Sequence, residues 1–84
     1  MELSKAQLAI LRRMAEGIMV EWVDMPVNAY FWQGSTEVNN PRPQSMEMLM
    51  RHDFVAPHLE PWWGRVYTIT LTGRAYLEEH DETE

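Results

Sequence analysis

The sequence predicts an α+β domain of three helices and two β-hairpins in the order α-β-β-α-β-β-α. Two observations carry this reading. Apolar residues recur at helical spacing at Leu8, Leu11, Met14, Ala15 and Ile18, again at Met46, Leu49 and Met50, and again at Gly73, Tyr76 and Leu77. Between these stripes lie two pairs of runs rich in β-branched, aromatic and other apolar residues, 18–23 with 29–33 and 55–60 with 65–70, each joined by turn formers.

The first helix opens on Leu3-Ser4-Lys5-Ala6-Gln7-Leu8, where Ser4 can accept from the Gln7 backbone N–H while the Gln7 side chain reaches back. Leu3 and Leu8 are spaced to pack as a hydrophobic staple, Arg12 and Arg13 fall off the apolar stripe, and Gly17 supplies a left-handed stop. Ile18 to Val23 and Ala29 to Gln33 make the first hairpin around Asp24-Met25-Pro26-Val27-Asn28, a loop longer than the two-residue ideal. Residues 34–43 are rich in Gly, Ser, Asn and Pro and read as a loop, with Pro43 suited to the first turn of the second helix, where its missing N–H is harmless. That helix covers 44–52. Val55 to Glu60 and Arg65 to Thr70 form the second hairpin, tipped by Pro61-Trp62-Trp63-Gly64, and Thr70 or Thr72 caps the last helix. The expected core is Leu8, Leu11, Met14, Met46, Leu49, Met50, Phe54, Ile69 and Leu77.

At 84 residues the chain suits one domain, and a chain of that size buries only about 60–65% of its extended surface. Cysteine is absent, so folding relies on packing rather than disulfides or thiolate-bound zinc, which suits a reducing cytosol. No apolar run approaches the ~18 residues of a membrane span, so the expectation is a soluble cytoplasmic protein with no membrane partner. The net charge of −6 is unevenly spread: five acids fall in the last seven residues, leaving 1–77 with seven basic and eight acidic side chains. The natural division is therefore a near-neutral folded domain, 1–77, and an acidic tail, 78–84. Such a tail reads as a solvated helix end, or as a nucleic-acid mimic that competes for a binding site. The body lacks the basic stripe of a strong DNA binder.

The stretch Leu49-Met50-Arg51-His52-Asp53-Phe54-Val55, followed by Tyr67-Thr68-Ile69-Thr70-Leu71-Thr72-Gly73-Arg74-Ala75-Tyr76-Leu77, resembles the winged helix-turn-helix superfamily. In particular it is similar to small phage and prophage proteins whose recognition helix ends in leucine, basic residues, glycine, leucine and valine. In those proteins a tyrosine strand then runs into a threonine, glycine, arginine, alanine and leucine pattern. The likeness covers the C-terminal half and the first helix. It implies that Asp53 occupies a position often held by glycine, where positive φ is needed and Asp is tolerated. In one respect the chain departs from that pattern: residues 18–33 read as strands where the superfamily places a helix.

Two roles follow from the outward face of the second helix, Gln44, Glu47, Met48, Arg51 and His52. As a DNA-binding regulator, which the resemblance implies, the protein would use Gln44 on an adenine, Arg42 and Arg51 on phosphates or a guanine, and Arg65 on a phosphate from the wing. Glu47 opposes that role, because a carboxylate repels phosphates. As a phage or mobile-element protein that binds host protein machinery, such as an anti-CRISPR or similar anti-defence inhibitor, it would use Met48 with Trp62 and Trp63. Either tryptophan can instead fold back on the core, and a doubly exposed tip invites a homodimer. Trp22, Tyr30 and Trp32 read as core or cross-strand pairs. No catalytic residue, metal site or cofactor is predicted: His52, His58 and His80 lack metal-ligand spacing, and Ser4, Ser35 and Ser45 lack a base and its orienter.

Overall fold

A computed structural model describes residues 3–33 and 40–80. Their elements are α1 (Lys5–Ala15), β1 (Val20–Val23), β2 (Ala29–Trp32), α2 (Pro43–Arg51), β3 (Val55–Leu59), β4 (Gly64–Ile69) and α3 (Leu71–His80). The α+β class and the element order match the expectation; the predicted loop lies largely within 34–39, outside the described residues.

Helix α1 starts as its sequence dictates. The Gln7 N–H donates to Ser4 Oγ at 3.2 Å and the Ser4 N–H donates to Gln7 Oε1 at 2.9 Å, a reciprocal capping box. Gly17 then turns the chain at φ 105°. Both ends of α1 are also held by α3: the Leu3 N–H donates to the Tyr76 hydroxyl at 3.1 Å, and Arg74 donates to the Ala15 carbonyl at 3.3 Å. Thus Arg74, which the resemblance picks out, closes a helix end that would otherwise leave a carbonyl unpaired.

Helix α2 begins at Pro43 and ends in a Schellman turn. Asp53 takes φ 61°, its N–H donates to Met50 O at 3.0 Å, and the Phe54 N–H donates to Leu49 O at 2.9 Å. The expected positive φ at Asp53 is therefore present. The same turn is fastened to α3 through Thr70, whose hydroxyl donates to the Asp53 carbonyl at 2.6 Å and accepts from the Gly73 N–H at 3.0 Å. A Cβ on Gly73 would overlap the Phe54 carbonyl, so the Thr-x-x-Gly spacing is a lock between the first turn of α3 and the end of α2.

All four strands form one antiparallel sheet, ordered β2-β1-β4-β3. Each predicted hairpin is present, and β1 joins them by pairing with β4, with Val20 opposite Tyr67, Glu21 opposite Val66 and Val23 opposite Gly64. Both edges resist further strand addition: β2 is short and its Trp32 N–H is taken by Asn40 Oδ1 at 3.3 Å, while β3 carries Pro57 and a bulge between Pro57 and Leu59.

One sheet face, with Val20, Tyr30, Trp32, Val55, Tyr67 and Ile69, shares a single core with Ile10, Leu11 and Met14 of α1, Met46 and Leu49 of α2, and Leu77 of α3. Of the expected core, Leu8, Met50 and Phe54 pack against this cluster while partly exposed; the other six are buried. Tyr30 and Trp32 are core, and Trp22 sits across from Tyr30 with ring centroids 4.7 Å apart, as a cross-strand pair. Val66 is also buried but belongs to the opposite face, outside that cluster.

Candidate functional site

The exposed side of α2 carries three of the residues proposed for nucleic acid. Arg42 is the N-cap residue but makes no side-chain cap bond, and Gln44 and Arg51 are exposed along the helix. Glu47 is exposed between them, Met48 is half-buried, and His52 is half-buried with Nε2 enclosed and lacking a hydrogen-bond partner. His52 stacks on Phe54, Phe54 lies against Tyr76, and Tyr76 stacks on His80, so its ring belongs to an aromatic row rather than to the outward face.

Arg65 differs from the α2 residues because its charge is already engaged. It is exposed on β4, with Nε 3.9 Å from Glu60 Oε2, and its pKa is raised by a hydrogen bond to the Tyr67 hydroxyl and by the nearby Tyr67 and Glu60 oxygens. Tyr67 in turn bonds Tyr30, whose pKa is pushed up to about 12 by burial first, then by Tyr67 and Glu47. Tyr30, Tyr67 and Arg65 thus lie close enough to perturb one another, with Glu47 acting electrostatically on Tyr30 and Glu60 on Arg65.

The burial of Tyr30 gives a testable pH dependence. A tyrosine ionises at 10.0 in the unfolded chain and at about 12 here, so both states are neutral below pH 10 and the stability is intact there. As pH rises from 10 to about 12 only the unfolded state loses its proton, and stability falls by about 2–3 kcal/mol in total. Tyr30→Phe should flatten that alkaline decline relative to wild type in urea unfolding measured across the same range. An unchanged slope would mean that Tyr30 is not the group responsible.

A second surface lies at the end of the sheet where both hairpins turn. The Asp24 N–H donates to the Trp63 carbonyl at 3.0 Å, which holds the 24–28 turn beside the 60–63 turn, and Trp22 Nε1 donates to Asp24 Oδ1 at 2.7 Å. Trp63 is half-buried, whereas Trp62 is 93% exposed. Only one of the two tryptophans proposed for a partner therefore stands free in solvent. It has company that the sequence did not suggest: Met25, 81% exposed, and Val27 on the first turn, and Leu59 at the end of β3. Apolar residues inside a turn-forming segment were the available signal, since turns ordinarily carry polar side chains.

No known protein family, no curated protein and no solved structure matches this chain. Among the described residues no group of three or more His, Asp or Glu converges on a metal-sized site, and no helix is long and apolar enough to cross a membrane.

Proposed function

We propose that this chain is a non-catalytic recognition module whose partner is a protein, engaged through the paired hairpin tips. One observation carries the reading: among the described residues, every exposed large apolar side chain except Leu71 lies at that end of the sheet, namely Met25, Val27, Leu59 and Trp62. Scattered exposed apolar residues need no explanation, but a cluster centred on a tryptophan and a flexible methionine has the composition of an interface anchor. On the phage or mobile-element alternative, that partner is host machinery and the chain acts as its inhibitor.

Affinity capture from cells carrying the gene, scored for both protein and nucleic acid, tests this. Wild type should retain a protein partner that Trp62→Ser combined with Met25→Ser releases, with at least a tenfold loss expected for a hot-spot pair. Both side chains are solvent-facing, so the double variant should keep its melting temperature. Equal retention by the folded double variant would remove the reading.

The second reading is DNA recognition by a winged-helix scaffold. It is supported by Arg42, Gln44 and Arg51 standing exposed on α2, beside a β3–β4 hairpin positioned as a wing, and by the strand order β1-β4-β3. It is opposed by Glu47 on the same side and by the engagement of Arg65 with Glu60 and Tyr67. If DNA is the ligand, Arg42→Ala with Arg51→Ala should weaken duplex binding and reduce its salt slope by about 2. No retardation of any duplex at low salt would eliminate it.

A further inference from the structure

The sheet face opposite the core has the wrong composition for a surface that meets only water. Antiparallel sheets with one solvated face alternate apolar-in with polar-out, yet here the outward positions include half-buried Val23, Phe31 and Ala56, exposed Leu59, and Val66, which is already buried. The helices share their core with the other face. Near the middle of this apolar field, on an interior strand, sits Glu21, directly between Phe31 on β2 and Val66 on β4. Glu21 is half-buried, and no ion pair or hydrogen bond engages its carboxylate among the described residues.

We infer that this face docks a peptide segment of a partner protein in which one Arg or Lys, flanked by apolar side chains, pairs with Glu21. Charge and size both select that occupant. Two copies stacked face to face about a twofold axis would bring two like carboxylates into an apolar interface, where an unpaired charge is heavily penalised. A face of four short strands also offers only ~300–600 Å², below the ~800 Å² per partner of a standard interface. That footprint suits a single helix or extended segment. A carboxylate ringed by apolar groups selects a cation, because a complementary charge in a dehydrated patch discriminates strongly against neutral or acidic residues. The inference rests on the protein-partner reading and extends it, since Leu59 belongs to both the tips and this face.

A displayed library of random linear peptides, selected on the immobilised full chain, tests it. Wild type should enrich peptides with Arg or Lys between apolar residues, and a synthesised winner should bind Glu21→Gln about tenfold more weakly or worse. Glu21→Lys should instead enrich Asp or Glu at the same position, and circular dichroism and melting curves of both variants show that the fold is kept. Identical winners from wild type and Glu21→Lys, or no enrichment by wild type, would overturn the inference. So would a concentration-dependent dimer in sedimentation that Phe31→Lys dissolves, because it would assign the face to a second copy. Winners lost with Trp62→Ser but indifferent to Glu21 would sink this inference and leave the tip reading standing. Winners that need Glu21 and not Trp62 would support it and remove the tips.

Discussion

Gly64→Ala is expected to lower the melting temperature by roughly 10–20 °C, corresponding to ~3 kcal/mol in a domain of this size. The added methyl carbon would overlap the Trp22 carbonyl oxygen and crowd the Val23 backbone. Backbone atoms cannot swing aside as the end of a long side chain can. Gly64 is also opposite Val23 where β1 meets β4, next to the bond from the Asp24 N–H to the Trp63 carbonyl. Prising that contact apart would separate the sheet toward two two-stranded hairpins, each marginal alone. Gly17→Ala is the natural comparison: nothing lies within 4 Å of a Cβ there, so only the positive φ opposes it, at a cost of about 1 kcal/mol. Calorimetry on both variants checks the ranking, and a Gly64→Ala protein as stable as Gly17→Ala would contradict the account. Because the hairpin tips are held side by side by this junction, Gly64→Ala should also weaken partner capture even at temperatures where the chain is still folded.

Leu49→Ala should destabilise the protein by about 2–5 kcal/mol in urea unfolding. Leu49 is completely buried on α2, within the cluster that also holds Leu11, Met14 and Met46. The truncation leaves a cavity where α2 meets the rest of the core, and a domain this small has few spare apolar contacts to collapse into it. Its carbonyl takes the bond that forms the Schellman turn, so loosening the side chain also loosens the stop that sends the chain into β3. Leu71→Ala offers the contrast: Leu71 is exposed at the start of α3, and the change should stay within about 0.5 kcal/mol. Comparable losses for the two leucines would show that the core is not where the contacts place it.

The elements were legible because each is signalled within a few neighbouring residues. Ser4 and Gln7 cap α1, Gly17 and Asp53 take the left-handed stops, Pro43 enters α2 at its first turn, and Thr70 caps α3. The candidate surfaces were legible only in part. Gln44 and Arg51 stand exposed on α2, as helical spacing requires, and Trp62 stands free at a hairpin tip. The divergence between Trp62 and Trp63 could not be read, since adjacent residues in a tight turn have no fixed alternation. His52 is drawn into the row of Phe54, Tyr76 and His80, which are distant in sequence from one another except in pairs.

By itself, then, the chain determines three helices, two hairpins and the places where each begins and stops, through caps, glycine and aspartate turns and apolar periodicity acting over short range. The tertiary structure alone decided that β1 pairs with β4, and both proposed docking surfaces follow from that contact. It merges the hairpins into one sheet, puts Met25 and Val27 at the same end of it as Trp62, and sets Glu21 between Phe31 and Val66. Strand pairing across more than forty residues leaves no local signature, because a hydrogen-bonding backbone edge is the same for every residue and the choice of neighbour is made by how the whole core packs.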